Sequence, residues 1–263
     1  LSVDSDATTD VVTITREGPI RVVTLNRPEH NNAVNGAMHT RLSTIWQELA
    51  GDPEARAVVL TGAGSAFCAG GDFGFMAEVL DDEKRWQTME EGRRLIEEML
   101  RFPLPVVAAV NGPAVGLGAS LAVMSDLVVI ADTAYLADPH VLVGMVAGDG
   151  GAATWPVHVS LLHAKEFLFL GDRVTPERAA AIGLANRVVP TKELLGEALT
   201  LAQRLSELPQ HALRDTKRAL NLVVEQNMSA TRNFALAAER YSMADRDHGE
   251  FVRRMRARAG STD

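Results

Sequence analysis

A mixed α/β core followed by a helical C-terminal region is the fold class this sequence predicts. Three observations lead there. Short β-branched runs recur at 20–25, 57–61, 106–110 and 127–130; glycine-rich loops follow two of them; and helical spacing takes over from residue 175. Residues 11–16 alternate in polarity, and IRVVTL at 20–25 is bounded by Gly18-Pro19 and Asn26-Arg27-Pro28, so the two read as strands joined by a turn at 17–19. Met38, Leu42, Ile45, Trp46 and Leu49 share one face of a helix expected over 35–51, stopped by Gly51-Asp52-Pro53. AVVLT at 57–61 is a short buried strand that runs into the loop GAGSAFCAGGD at 62–72. A long charged helix is expected over 82–101, ended by Pro103 and Pro105. Strand 106–110, a glycine-rich turn, helix 119–124 and strand 127–130 come next. Helices over 176–182, 191–208, 210–225 and 228–258 complete the chain.

Composition narrows the function classes. With 263 residues, 46% hydrophobic and 23% charged, the chain can bury a large core and is neither disordered, collagen-like nor a coiled coil. A net charge of -8 argues against binding nucleic acid by phosphate neutralisation. Cys68 is the single cysteine, so no internal disulfide and no multi-cysteine metal site can form, and no metal is expected. The acidic, polar stretch 1–10 has neither a basic nor an apolar signal region, so a cytoplasmic protein is expected. Residues 104–130 are nearly free of charge and long enough to span a bilayer. However, Pro105, Asn111, Gly112, Pro113, Gly116, Gly118 and Asp126 divide them into strand, turn, helix and strand, so no membrane partner is expected.

Several common sites are missing. There is no GxxxxGK(S/T) phosphate loop, no GxGxxG fingerprint, no HExxH and no GxSxG elbow. What remains is the pair of glycine-rich loops, AGGD at 69–72 and NGPAVGLG at 111–118, each after a buried strand. Glycines there let backbone N–H groups approach a ligand, and two such groups aimed at one oxygen make an oxyanion hole. Either loop alone reads as a tight turn; two of them in one α/β chain favour the site.

The strings GAGSAFCAGGDF, PVVAAVNGPAVGLGASLAVMSDLVV, DPHVLVGMVAGDGGAATWP and GDRVTPERAAAIGLANRVVP, with the early LNRPEHNNAVN, resemble the crotonase (enoyl-CoA hydratase/isomerase) superfamily over nearly the whole chain. The resemblance implies a crotonase-like spiral of ββα units over 10–195 and a helical C-terminal trimerisation region over 196–263. It also implies a homotrimer or dimer of trimers. The implied substrate is an acyl-CoA thioester, with coenzyme A entering as part of the substrate and no separate cofactor. The oxyanion amides fall on Gly71 and Leu117. Arg27, Ala69, Ser120, Phe251 and Arg254 are the candidates for substrate binding; the last two stand near the basic run Arg253, Arg254, Arg256 and Arg258, which reads equally as a solvated helix end.

Departures from the family pattern shape the chemistry. Family hydratases use two glutamates, and the matching positions here are Ser120 and His140. An imidazole titrates near neutrality, and Asp149, nine residues on in GDGG, could return to the ring and support it as in hydrolase triads. The bland alternatives are a loop histidine and a turn aspartate. A His–Asp pair also resembles the β-diketone hydrolase branch, which cleaves a carbon–carbon bond without coenzyme A. That branch has a further histidine near the second loop, where this chain offers only Leu117 and its neighbours, and a C-terminal glutamate for which Glu239 is a candidate counterpart that no local motif anchors. Cys68 is read as packing, Asp72 as a brace of its own loop, and Trp46, Trp86 and Trp155 as core or pocket lining. The leading expectation is hydration or double-bond isomerisation of an enoyl-CoA, a lyase-type step of fatty acid metabolism, with His140 and Asp149 handling protons. The alternatives are the CoA-independent hydrolase and a catalytically silent trimeric scaffold.

Overall fold

The computed structural model describes residues 10–259; the readings made for 1–9 and 260–263, and for the side chains of Arg256 and Arg258, lie outside the described residues. The chain runs through β1 (Val12–Glu17), β2 (Ile20–Leu25), α1 (Gly36–Leu42), α2 (Ile45–Ala50), β3 (Ala57–Gly62), α3 (Phe73–Glu78) and α4 (Asp82–Arg101). It continues through β4 (Val106–Val110), β5 (Pro113–Val115), α5 (Leu117–Val123), β6 (Leu127–Ala131), β7 (Tyr135–Ala137), α6 (Gly151–His158) and α7 (Leu161–Leu170). The last stretch holds α8 (Pro176–Ile182), β8 (Arg187–Val189), α9 (Leu194–Glu207), α10 (Gln210–Met243) and α11 (Arg246–Ala259).

Six strands form one sheet in the order β1-β2-β3-β4-β6-β8. β1 and β2 pair antiparallel across the Gly18-Pro19 turn, and every later pairing is parallel. VVAAV of β4 is buried at all five positions, as expected of a central parallel strand covered on both faces. A second, two-stranded parallel sheet joins β5 to β7. The two glycine loops therefore leave β3 and β4, neighbouring strands of one sheet, and this brings the candidate site together.

The structure revises four sequence readings. The helix expected over 35–51 breaks at Ser43–Thr44, where Ser43 Oγ donates to the Thr40 carbonyl (2.8 Å) and Thr44 Oγ1 to the Arg41 carbonyl (3.2 Å), offering these carbonyls an alternative to helix bonding. The break expected at 226–227 does not occur. Neither glycine nor proline stands there, and Asn227 Nδ2 bonds back to the Val223 carbonyl within the helix, so α10 continues to Met243. The boundary drawn at 195/196 falls inside α9, whose buried face (Leu194, Ala198, Leu201, Ala202) packs on the sheet through β2, β3, β4 and β6. Trp46 and Trp155 are fully buried, but Trp86 is exposed on the outer side of α4. Among the described residues no helix is long and apolar enough to cross a membrane.

Candidate active site

The first loop is fixed by a parallel bridge between Val34 and Gly71: the Val34 N–H donates to the Gly70 carbonyl (2.7 Å) and the Asp72 N–H to the Val34 carbonyl (2.9 Å). Those bonds use the residues on either side of Gly71, so its own N–H faces away and has no acceptor among the described residues. Asp72 caps α3 through Gly74 N–H (2.8 Å) and holds Arg27 Nη1 (3.1 Å). The second loop ends at Gly116, whose N–H donates to the Ala137 carbonyl (2.9 Å). Leu117 then opens α5, and as a first helical residue its N–H has no partner within the helix. Gly70 and Gly116 have φ of 88° and 54°, and a Cβ on Gly116 would lie 3.9 Å from Gly70 Cα and 3.3 Å from His140 Cε1. Both φ values lie in the left-handed region, and a Cβ on Gly70 would press to 3.1 Å from the Val115 carbonyl oxygen, so a side chain is strained at either position. Gly71 and Leu117, each one residue further on, line one pocket together with His140, Asp149 and Glu239.

His140 opens a 3₁₀ turn (His140–Val143) just after β7 and is buried between two carboxylates. Asp138, two residues earlier and fully buried, bonds Nδ1, and Asp149 Oδ2 lies 3.4 Å from Nε2. Ser120 Oγ donates to the other Asp149 oxygen at 3.5 Å. The glycines around Asp149 explain how it fits. A Cβ at Gly148 would lie 2.6 Å from Glu239 Oε2, one at Gly150 would lie 2.8 Å from Ser120 Oγ, and one at Gly151 would overlap Asp138 Oδ2. Each glycine of the GDGG turn clears space for a different polar residue of the site.

Charges follow from this packing. Burial disfavours a charged His140, but the carboxylates of Asp149 and Asp138 outweigh it and raise its pKa well above the usual 6.5. Burial, reinforced by Asp149 and only partly offset by His140, raises Glu239 well above the usual carboxyl value. The pocket therefore favours an imidazolium at His140 and a neutral acid at Glu239, with the side chains of Asp138 and Asp149 beside the ring. Ligand atoms of Asp138, His140 and Asp149 also lie within 4.8 Å of one another, but the two ring nitrogens each face a different carboxylate, an arrangement for sharing protons rather than for one shared metal ion.

The remaining predicted residues are placed differently. Ser120 is fully buried behind Asp149. Arg27, a candidate for substrate binding, braces the loop: Nη1 bonds Asp72 and the Ala33 carbonyl. The Ala69 N–H is used by the Asn31 carbonyl (3.0 Å), and Ala69 does not reach the pocket lining. Phe251 of α11 packs against Phe73 of α3 (ring centroids 6.4 Å apart), whereas Arg254 is exposed. Cys68 is buried and its thiol is pushed up to about 12, chiefly by burial, which disfavours the thiolate and fits its reading as packing. Asp138 is the residue that sequence reasoning missed; its signal was the Asp-Pro-His string itself, in which a proline turn can bring side chains 138 and 140 together. An apolar wall of Phe75, Val79, Met89, Met145 and Met243 completes the pocket.

The enoyl-CoA hydratase/isomerase family profile matches residues 15–251. The short-chain-enoyl-CoA hydratase of Clostridium acetobutylicum is 32% identical over 229 residues, covering 87% of this chain and 86% of its own. A solved enoyl-CoA hydratase/isomerase from Mycobacterium paratuberculosis is 48% identical with a TM-score of 0.91, over 94% of this chain and 98% of its own. A β-diketone hydrolase from Anabaena sp. PCC 7120, solved with (S)-3-oxocyclohexyl acetic acid, is 26% identical with a TM-score of 0.82, over 90% and 95%. Matched along its length by the family profile and by relatives of nearly equal length, this chain belongs to the enoyl-CoA hydratase/isomerase family.

Proposed function

We propose that the protein processes acyl-CoA thioesters, adding water to, or shifting, the double bond of an enoyl-CoA. The observation that carries this reading is the pocket shared by two main-chain N–H groups without acceptors among the described residues, at Gly71 and Leu117, and by the His140–Asp149 pair. The thioester carbonyl oxygen rests on the two N–H groups, which stabilise the enolate oxygen as charge develops there; each such donor is worth roughly 3–4 kcal/mol in the transition state. For hydration, the Asp149 carboxylate takes a proton from water as its oxygen bonds to the β-carbon. The electrons of the double bond move to the thioester oxygen, and the His140 imidazolium then returns a proton to the α-carbon. Asp149 Oδ2, 3.4 Å from Nε2, passes its proton back to the ring and resets the pair. Isomerisation uses the same groups without water, with one carbon giving up a proton and another receiving it. Coenzyme A serves as part of the substrate and no further cofactor is needed.

The finer setting rests on family resemblance: a cytoplasmic enzyme of fatty acid metabolism, assembled as a homotrimer or dimer of trimers. Exposed apolar side chains on adjoining surfaces, Leu142 in the 3₁₀ turn and Phe169 and Leu170 of α7, support burial by another subunit.

One observation favours a second reading, carbon–carbon bond hydrolysis of a β-diketone: the buried, neutral Glu239 joins the His–Asp pair, and the Anabaena hydrolase shares the fold. The decisive experiment compares enoyl-CoA esters with cyclic β-diketones, following turnover and thermal stabilisation. The proposal expects stabilisation and turnover by an enoyl-CoA, and a loss of about 100-fold or more in kcat/KM for His140→Ala. Turnover of a diketone with indifference to CoA esters would replace it with the hydrolase reading.

A further inference from the structure

A second histidine–carboxylate pair faces the same pocket. His39 on α1 is buried, and its Nδ1 lies 2.9 Å from Glu91 Oε2 of α4. Glu91 also accepts from Thr40 Oγ1 (3.0 Å) and Gln87 Nε2 (3.1 Å); against the opposing effect of burial, its contact with His39 first and these two bonds after it hold the carboxyl below its usual value. The carboxylate thus fixes Nδ1 as the donor nitrogen and leaves Nε2 as the free one. Nε2 has no hydrogen-bond partner among the described residues, and yet it is not sealed in protein. Gly92 lies opposite, where a Cβ would stand 3.9 Å from Nε2, and both His39 and Gly92 line the pocket. The His39 ring rests against Phe75 (centroids 5.7 Å apart), which belongs to the apolar wall with Met89, Met145 and Met243.

The pocket is therefore apolar between two polar stations. His140 and Asp149 sit on the α6 side with the oxyanion loops, and His39 sits on the α1/α4 side. Resting on the acyl-CoA reading above, the geometry points to a substrate whose acyl portion carries a hydrogen-bonding oxygen, a hydroxyl or a ketone, that His39 Nε2 recognises. A purely hydrocarbon tail would leave this nitrogen without a partner once water is displaced, and a site built around a hydrogen bond discriminates against the analogue that lacks it. The free space of roughly 70 Å³ in this partly open pocket favours a short acyl group, and the methionines can re-pack around it. His39 is here a specificity-determining residue; the chemistry stays with His140 and Asp149.

The test uses trans-2-hexenoyl-CoA beside its 5-oxo and 6-hydroxy derivatives, measuring Kd by calorimetry and kcat/KM by loss of the enoyl chromophore. The full-length protein is compared with His39→Leu and with His39→Gln, which keeps a polar atom there should the leucine variant fail to fold. The expected result is a preference of about tenfold or more for an oxygenated ester, lost in His39→Leu and reduced in His39→Gln. A hydroxyl preference identifies Nε2 as acceptor and a ketone preference identifies it as donor; both support the inference. Equal handling of all three esters by the unmodified protein, or an undiminished preference in either variant, overturns it while leaving the acyl-CoA reading intact. Failure of every CoA ester to bind overturns that reading itself.

Discussion

Asp138 and Asp149 divide the labour around one imidazole, and their separate effects are measurable. Asp138 is fully buried and bonds Nδ1, while Asp149 borders the pocket beside Nε2. Replacing Asp138 with asparagine keeps an oxygen for the Nδ1 proton but removes one of the two charges that raise His140 above its ordinary 6.5. Because the folded state binds this proton more tightly than the unfolded chain, its stabilising contribution is complete below that ordinary value. It is lost as pH rises through the higher folded pKa. Asp138→Asn should therefore move the alkaline limb of kcat/KM to lower pH, so that activity relative to the unmodified enzyme falls more at pH 9 than at pH 6. An NMR titration of His140 should shift in the same direction, and an unmoved limb would show that Asp138 only packs. His140 was legible in the sequence because it stands where family members carry a catalytic group, and Asp149 because glycines flank it. Asp138 was not, since only the turn at Pro139 tells that side chains 138 and 140 meet.

Glycine spacing connects the residues to the elements that carry them. The GDGG turn closes on Ser120 of α5, Asp138 beyond β7 and Glu239 of α10, so three elements converge on a turn without Cβ atoms at the points of contact. Gly151→Ala would push a methyl group into the Asp138 carboxylate, which cannot retreat without giving up His140; it should cost about 1–3 kcal/mol and lower activity. Gly196 is the matched control: it lies in α9 with nothing within 4 Å of its Cβ position, and Gly196→Ala should stabilise by about 0.5–1 kcal/mol with no change in kcat/KM. Denaturant unfolding of both variants checks the pair, and equal effects would contradict the packing argument. Elements with strong periodicity or clear stops, such as β2, α4 and β4, matched their sequence readings residue for residue. The split between α1 and α2 did not, because serine and threonine end a helix through local hydroxyl bonds that apolar spacing does not register.

At the scale of the molecule, α10 ties the sheet to the site. Its 34 residues span about 50 Å, with Lys217 and Asn221 anchored near the sheet and Glu239, Ser242 and Met243 at the pocket end. This reach is why Glu239 could be named from sequence only as an unanchored candidate: its place depends on where a long helix lands, a tertiary fact. In the anchor itself Lys217 is buried, whereas Asp126 keeps part of its surface in solvent. Lys217 Nζ donates to Asp126 Oδ2 (2.6 Å) and to the Leu104 carbonyl (2.8 Å), while Asp126 also accepts from the Val106 N–H (2.7 Å) at the start of β4. Burial lowers the Lys217 pKa even with Asp126 opposing it, so the ammonium is less comfortable here than in water. Lys217→Met alone should destabilise by about 2–3 kcal/mol, because it leaves a carboxylate and a carbonyl without their cation. Adding Asp126→Asn keeps an oxygen for the Val106 N–H and removes the stranded charge, so the double variant should recover about 1–2 kcal/mol of that loss. Guanidinium unfolding of the wild type, both single variants and the double variant closes the cycle. Strict additivity would mean that the pair does not act as a unit and that α10 is held by its apolar face alone.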